Sequence, residues 1–304
     1  MDVILHIGAH RTATSAMQHH MAYHRSALAD SGAVYWGPKI TRGGLFRGAI
    51  GGVEGVMAWQ GRRFAGRCAM RAEVVRQTGA THLIVSDENM FGSMRGTLED
   101  TRIYPDAGRR VAAYATGFSS HRVTVAMCVR DYADWWTSAL AFRLMRGGPL
   151  PRTALREHLV TQPRRWRHLV EEIARALPAA KVVVWNYERM ANKPHDIVEE
   201  LTGITTAPST AMPRNARPTA AALHDLMLSC DIDPKIFHWP EGQFMPFTTY
   251  ETEALRAQYN EDLSWLANGA GGFADYFDAP AAQTGALTVE GKGFPDDAEH
   301  RKLA

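Results

Sequence analysis

The chain has 304 residues, 45% of them hydrophobic, which is enough for one large α/β domain with a substantial core. Its 34 Lys and Arg residues nearly balance 32 Asp and Glu residues, so no strong overall field would attract nucleic acid or an anionic membrane. We find no run of about 18 apolar residues, no signal-peptide pattern and no CxxC pair among the three cysteines. We therefore expect a cytoplasmic protein without a transmembrane segment, a disulfide framework or a structural zinc site.

The first twenty residues predict a buried strand, a turn and a helix. The apolar run of residues 3–7 gives way to small residues and one cation, Arg11, before hydroxyl residues open a helix. The backbone N–H groups at the start of a helix bind anions, so this segment predicts a cradle for phosphate or sulfate. The alternative, that Thr12 only caps the helix, leaves Arg11, Thr14 and Ser15 unexplained.

Residues 36–66 form a glycine-dense stretch that is long for an ordinary connection. Such a segment is either a functional lid or an insertion of no consequence, and both interpretations stay open. On the first, residues 36–66 form a cap over a bound acceptor.

Three more short apolar runs, at residues 82–86, 123–129 and 182–187, are rich in β-branched residues and alternate with helical segments. Buried strands separated by helices are typical of a parallel sheet covered on both faces. We therefore predict a three-layer α/β fold with a central parallel sheet, with functional loops at the carboxyl ends of its strands. Cys128, inside the second run, is interpreted as a packing residue.

Arg130 ends the second of these runs, and Ser138 lies eight residues later, about two helical turns on. A guanidinium offers a phosphate a charge-assisted fork, and a hydroxyl adds one directional hydrogen bond. The alternative is that Arg130 pairs with Asp131 or Glu188 in a structural network.

The C-terminal half is mostly helical in pattern, with helices predicted at residues 153–177, 219–228 and 249–266. Residues 279–304 are rich in Ala, Gly, Pro and charge without periodicity, and are expected to form a flexible tail. Residues 1–278 are thus predicted to be a single domain.

The first loop and the Arg130 segment together resemble the sulfotransferases that use 3′-phosphoadenosine 5′-phosphosulfate, which have a P-loop nucleotide-kinase-like fold. In that family the first loop binds the 5′-phosphosulfate, and an arginine and a serine at this spacing bind the 3′-phosphate. Arg11 stands here where lysine is usual, and Ala13 where glycine is usual. The resemblance implies donor contacts from Arg11, Thr12, Ala13, Thr14, Ser15, Arg130, Ser138 and Tyr187.

Two weaker matches follow. Residues 86–88 look like the Ser-Ser-Glu segment of many bacterial and Golgi-type relatives, in some of which the glutamate is the catalytic base. Residues 185–188 look like the family's Tyr-Glu-Asp strand end, which would bring Tyr187 near the adenine. The resemblance implies metal-free sulfuryl transfer to a hydroxyl or amine of a small molecule or carbohydrate, with catalytic roles for Arg11 and Glu88. The nucleotide product would be adenosine 3′,5′-bisphosphate.

Two rival functions stay open. An ATP-dependent kinase would use Asp87 to hold magnesium, but GxxxxGK[ST] is absent, because the corresponding positions from Gly8 hold Ala13, Thr14 and Ser15. A non-catalytic nucleotide-binding module is the second rival. The acceptor is open between carbohydrate, lipid head group and small phenol.

Overall fold

The computed structural model describes residues 1–50, 58–209, 218–237, 239, 242–278 and 288–289. Its strands are β1 (Asp2–His6), β2 (Ala33–Trp36), β3 (His82–Ser86), β4 (Arg122–Val129), β5 (Lys181–Asn186), β6 (Thr205–Thr206), β7 (Asp275–Phe277) and β8 (Thr288–Val289). Six of these form one parallel sheet in the order β2-β3-β1-β4-β5-β7, and β6 pairs separately with β8.

The helices surround this sheet and dominate the second half of the chain. They are α1 (Thr14–Tyr23), α2 (Arg25–Asp30), α3 (Pro38–Ile40), α4 (Ala58–Gln77), α5 (Met94–Glu99), α6 (Ala107–Ala115), α7 (Tyr132–Leu144), α8 (Thr153–Thr161), α9 (Trp166–Ala176), α10 (Tyr187–Met190), α11 (Pro194–Thr202), α12 (Ala220–Ser229) and α13 (Thr249–Ala267). Among the helices so described, none is long and apolar enough to cross a membrane.

Side chains of β1 are buried on both faces of the sheet, because successive residues of a strand point in opposite directions. Val3 and Leu5 belong to the larger core, under α4 to α9, α12 and α13. Ile4 packs on the other face with Met17 and Met21 of α1 and with residues of α2 and α11. The result is the predicted arrangement of a parallel sheet between two layers of helices.

The four predicted strands are confirmed as β1, β3, β4 and β5. The edge strands β2 and β7 were not predicted, and they are only four and three residues long. The helices predicted near residues 219–228 and 249–266 are confirmed as α12 and α13. A single helix over 153–177 is wrong: α8 ends at Thr161 and α9 begins at Trp166. Pro163 lies between them, where it cannot donate a helical hydrogen bond.

The glycine-dense stretch has both regular and irregular parts. After β2, α3 leads into a π-helical turn, Thr41–Leu45, while residues 51–57 lie outside the described ranges. The last nine residues, from Ala58, already belong to α4. Leu45 and Ala49 are buried in the larger core, so this part of the stretch packs against the domain. Of the predicted tail, residues 279–287 and 290–304 also lie outside the described ranges.

All three cysteines are free. Cys128 is buried in β4, and burial raises its pKa well above the ordinary value, in keeping with its predicted packing role.

β1 lies between β3 and β4, so the chain leaves the centre of the sheet in both directions from this strand. In open α/β sheets the crevice at such a point, outside the carboxyl ends of the strands, is where ligands bind. Gly8, Glu88 and Arg130 all follow the carboxyl ends of these three central strands.

Candidate functional site

A cavity of about 950 Å³ opens at the carboxyl ends of the central strands. The predicted site residues on its wall are Arg11, Ala13, Thr14, Ser15, Glu88, Arg130, Ser138 and Tyr187. Thr12 is not on the wall: it is buried, and its hydroxyl donates to the Ala9 carbonyl at 2.6 Å. The fold thus brings together predicted residues from four separate segments, with Thr12 supporting the first loop from behind.

The loop after β1 has a strained backbone. Arg11 and Ala13 both lie in the left-handed region, with φ of 66° and 60°. Gly8 has φ of 35°, and a Cβ there would come within 2.4 Å of the Thr14 hydroxyl, so the tight turn requires glycine. Residues held in sparsely populated backbone regions cluster at ligand sites, which makes this loop a candidate for function.

Helix α1 begins directly at this loop. Its N-cap residue is Ala13, which makes no side-chain cap, so the alternative that Thr12 caps the helix is wrong. The Ala13 carbonyl accepts hydrogen bonds from the N–H groups of Ala16 and Met17. The amides that precede them lie in the first helical turn, which has no intrahelical acceptors, at the positive end of the helix dipole. This helix end faces the cavity through Thr14 and Ser15 and can hold an anion.

Arg11 reaches across the cavity to α7. Its Nε donates to Ser138 Oγ at 2.8 Å, and its guanidinium carbon lies 5.4 Å from the centroid of the Phe142 ring. From the sequence we expected Arg11 to contact the phosphosulfate and Ser138 to contact the 3′-phosphate. In the structure these two side chains bind each other directly.

Arg130 joins the first loop to the end of β5. Its Nη1 donates to the Arg11 carbonyl at 2.7 Å, and its guanidinium carbon lies 4.1 Å from the centroid of the Tyr187 ring. Its Nε is buried without a hydrogen-bond partner. A buried donor without a partner costs free energy.

The structural network that would compete for Arg130 does not form within the described residues. Glu188 instead accepts hydrogen bonds from the Asp131 backbone N–H at 2.9 Å and from the Tyr259 hydroxyl at 2.6 Å. The Asp131 side chain caps α7 by accepting from the Asp134 N–H. Both carboxylates are used elsewhere, and the Arg130 guanidinium keeps its charge toward the cavity.

Two indoles fix the loops on either side of the cavity. Trp135 Nε1 donates to the His10 carbonyl at 2.7 Å, and Trp166 Nε1 donates to the Arg130 carbonyl at 2.8 Å. The Tyr104 hydroxyl contacts both the backbone N–H and Nδ1 of His10 at 2.9 Å. We did not predict these supports, because nothing in the local sequence pattern relates these aromatic residues to the loops they hold.

Glu88 is a carboxylate on the cavity wall. It accepts hydrogen bonds from Arg42 Nη2 at 2.8 Å and from Gln18 Nε2 at 3.0 Å. Burial acts to raise its pKa, but the hydrogen bonds and charge of Arg42, together with Gln18, outweigh burial and hold the pKa below its ordinary value. Glu88 is therefore ionised at neutral pH and can accept a proton.

Asp87, by contrast, is a structural residue. It is only 2% exposed, and its carboxylate accepts hydrogen bonds from Thr41 Oγ1 at 2.6 Å and from Arg42 Nη2 at 2.7 Å. Arg42 thus connects the glycine-dense stretch to two successive acids after β3. We did not predict Arg42, because a residue about 45 positions before its partners carries no local signal.

The cavity is strongly cationic. Arg130, Arg143 and Arg146 line it, and none of them forms an ion pair with a carboxylate of the described residues. The other arginines on this wall include Arg42 and Arg95, which pair with Glu88 and Glu99. A cluster of positive side chains in a cleft attracts polyanions.

No cluster of His, Cys, Asp and Glu in the described residues could hold a metal ion. His10 lines the cavity, and burial, opposed by the nearby charge of Glu88 and a hydrogen bond with Asn89, lowers its pKa. His10 is therefore neutral at pH 7.

The chain matches no protein-family model, and no curated protein or solved structure is significantly similar to it. The fold and the site define an α/β protein with a cationic cavity at the carboxyl edge of a parallel sheet. Its function has to be inferred from the chemistry of that cavity.

Proposed function

We propose that this protein is a sulfotransferase that moves a sulfuryl group from 3′-phosphoadenosine 5′-phosphosulfate to a hydroxyl or amine. A P-loop nucleotide-kinase-like fold, which the resemblance implies, agrees with the parallel sheet and the loop between β1 and α1.

One observation carries the proposal: the first loop and the β4–α7 segment, which are far apart in sequence, meet on the wall of one cavity. Arg130 donates to the Arg11 carbonyl, and Arg11 donates to Ser138. The helix N-terminus and the cation of the first loop suit one anionic group. Arg130, which lines the cavity without a carboxylate partner among the described residues, suits a second. A nucleotide with phosphate groups at both its 3′ and 5′ positions has this charge pattern.

In this proposal each residue type has one task. The amides of the first turn of α1, with Thr14 and Ser15, hold the sulfate and 5′-phosphate. Arg11 stabilises charge that develops on the leaving oxygen, because its guanidinium stays protonated at all relevant pH values. Arg130 and Ser138 hold the 3′-phosphate, Tyr187 packs beside the adenine, and Glu88 receives the acceptor's proton.

The kinase alternative is less well supported. It requires Asp87 as a magnesium ligand, but that carboxylate is buried and bound to Thr41 and Arg42. The first loop also lacks the lysine that a Walker motif would supply.

A thermal-shift titration separates the two. Adenosine 3′,5′-bisphosphate at 100 times its dissociation constant should stabilise the protein by about 2.7 kcal/mol, which is about 4–5 °C in Tm for a domain of this size. We expect this shift without magnesium. A shift given only by ATP with magnesium would contradict the proposal.

Catalysis is tested with radiolabelled donor and a broad acceptor panel, by following label transfer. Arg130→Ala, a variant of the proposed donor site, should reduce transfer and bisphosphate binding together. Binding of the bisphosphate without transfer to any acceptor would favour the non-catalytic alternative.

A further inference from the structure

Helix α4 has one side in the core and the other side in solvent. Phe64, Cys68 and Ala72 are fully buried and anchor the helix in the larger core. Arg67 donates to the Leu45 carbonyl at 3.3 Å, which also fixes the helix to the turn that precedes it. The 20 residues of α4 make a helix about 30 Å long, and its solvent side is therefore held outward on a well-anchored element.

The solvent side of α4 carries an apolar stripe. Trp59, Met70 and Val74 are 45%, 67% and 63% exposed, and they are three of the seven large hydrophobic side chains that the described residues leave exposed. At 3.6 residues per turn, positions 59, 63, 70 and 74 lie on one side of a helix. Arg63 occupies the gap in the stripe, with its guanidinium carbon 5.0 Å from the centroid of the Trp59 ring. Exposed apolar side chains gathered in one place mark an interaction surface, whereas scattered ones do not.

Arginines border this stripe on both sides. The helical period puts Arg62 on one side of it, and Arg67 and Arg71 on the other. None of these arginines forms an ion pair with a carboxylate of the described residues, because the acid of the helix, Glu73, pairs with Arg76 at 2.6 Å. The stripe is thus apolar in the middle and cationic at its edges.

The positive charge is concentrated in this part of the chain. Residues 37–72 carry seven Lys and Arg residues against one Glu, although the formal net charge of the whole chain is only +2. The balanced composition of the chain therefore hides a local surface that can attract an anionic partner.

We propose that α4 binds an anionic lipid surface, with the helix axis parallel to that surface. Trp59, Met70 and Val74 enter the boundary between headgroups and acyl chains, a depth at which tryptophan is enriched. Arg62 and Arg71 lie on either side of the stripe and reach the lipid phosphates, because long cationic side chains keep their charged ends among the headgroups. This inference does not depend on the proposed reaction.

Two other occupants fit this surface less well. A second copy of the chain, packed through the same helix, would bring identical arginines together, and like charges repel. An acidic protein would match the charge but would also have to provide an apolar groove shaped for the stripe. A lipid surface supplies the anions and the apolar layer together and needs no matched shape.

The test measures flotation of the full chain with vesicles of phosphatidylcholine alone and of phosphatidylcholine with one third phosphatidylglycerol. Binding to the anionic vesicles should be tighter by about 10-fold or more and should weaken as salt is added. The double variant Arg62→Gln with Arg63→Gln should weaken it by about 10- to 30-fold, at roughly 5-fold for each cation near an anionic surface. The matched control is Arg109→Gln with Arg175→Gln, which removes two exposed charges outside α4 and should bind as wild type does.

The apolar stripe is tested separately from the charge. Met70→Gln with Val74→Gln leaves the charge unchanged and should weaken binding to anionic vesicles by about 10-fold or more, since each buried CH₂ contributes about 0.8 kcal/mol. These side chains are exposed, so the variant should keep the wild-type Tm. Lipids brominated in their acyl chains should quench part of the tryptophan fluorescence, and Trp59→Phe should remove that part.

Three results would overturn the proposal. The first is failure of the folded protein to bind anionic vesicles. The second is binding of poly-L-glutamate as tightly as the vesicles, without quenching and without loss in the Met70 and Val74 variant, which would indicate an acidic protein partner. The third is a dimer in sedimentation that the same variant abolishes, which would assign the surface to a second copy.

Discussion

Arg11 donates through Nε to the hydroxyl of Ser138 at 2.8 Å, linking the loop after β1 to the second turn of α7. Ser138 is 1% exposed, so its hydroxyl is fixed by packing and holds the guanidinium in one direction. A ligand that binds both the first loop and the β4–α7 segment would meet a preformed pair of groups.

Ser138→Ala should reduce bisphosphate affinity by about 0.5–1.5 kcal/mol, because it removes one neutral hydroxyl and the acceptor of Arg11 Nε. The same change in an Arg11→Ala background should have a smaller effect, since contacting residues are energetically coupled. Calorimetric titration of the four proteins of this cycle measures the coupling. Additive effects would mean that the Arg11–Ser138 bond is not kept in the complex.

Arg130→Ala should weaken bisphosphate binding by about 1.5–3 kcal/mol, more than Ser138→Ala, because a charged hydrogen bond is lost. The structure adds that Arg130 also supports the Arg11 carbonyl, so the first loop should loosen as well. Titration calorimetry on folded variants measures the loss. Arg109→Ala, at an exposed arginine paired with Asp106, is the control and should bind as wild type does. Wild-type affinity in Arg130→Ala would rule out the proposed 3′-phosphate site.

The parts of the fold that the sequence predicts are those with a continuous local signal. The strands β1, β3, β4 and β5 are buried on both faces, so each leaves an unbroken apolar run. β2 and β7 lie at the sheet edges and are only four and three residues long. The site follows the same division. Arg130 and Ser138 are eight residues apart on consecutive elements, and their spacing is visible in the chain.

Arg42 shows why the rest could not be predicted. Its position beside Asp87 and Glu88 depends on the turn Thr41–Leu45 and on the pairing of β2 with β3. The pairing of β2 with β3 is a tertiary feature, and the glycines around the turn predicted only a lid or an insertion. The Arg11–Ser138 bond is likewise set by the distance between two elements, which no residue spacing gives.

Glu88→Gln should reduce transfer by about 10²-fold or more without changing donor affinity, because the amide keeps the shape and loses the basicity.

Arg42→Gln tests how Arg42 sets the pKa of the Glu88 carboxylate. The pKa of Glu88 is lowered mainly by Arg42 against the raising effect of burial, so removing this cation should raise that pKa.

A base acts in its deprotonated form, so activity is lost as pH falls through its pKa. The acidic limb of the kcat/KM profile should therefore move to higher pH in Arg42→Gln. Arg109→Ala should leave the profile in place. An unmoved limb in Arg42→Gln, with the protein still folded, would mean that Glu88 is not the titrating base.

Acid should destabilise this protein through buried histidines. Burial lowers the pKa of His6 to about 4, and burial with the neighbouring His24 and His195 lowers the pKa of His20 to about 3. Unfolded histidines titrate near 6.5, so between these values the unfolded chain binds more protons. The stability is complete above about pH 6.5 and is lost as pH falls toward 4. Each such histidine should remove about 1.4 kcal/mol per pH unit below about pH 6.

Denaturant unfolding between pH 7 and 5 measures this slope. His6→Gln lacks one of the histidines whose pKa is lowered in the folded protein, so its free energy of unfolding should fall less steeply with acid. His6 contacts Ser86 at 2.8 Å and stacks on Trp185, so some loss of stability at pH 7 is expected too. An equal slope in variant and wild type would show that His6 binds its proton over the same pH range in the folded protein as in the unfolded chain.

Arg11 is the residue whose chemistry most affects the proposed mechanism, because it stands where the sulfotransferase family usually has lysine. Arginine stays charged and stabilises a leaving phosphate oxygen electrostatically, without donating a proton. That oxygen is already a weak base, so charge alone is sufficient and the protein should be active.

Arg11→Ala should lose about 10²-fold or more in turnover, the scale for removing one electrostatic donor, with a smaller change in donor affinity. Arg11→Lys should stay within about 10-fold of wild type, since it restores the charge. The backbone makes this a fair comparison: φ at Arg11 is 66°, and the steric cost of this region falls on lysine and alanine as well as on arginine. Single-turnover measurements at saturating donor separate the chemical step from binding. Equal turnover in Arg11→Ala and wild type would show that this side chain does not act on the transferring group, and that the first loop only holds the nucleotide.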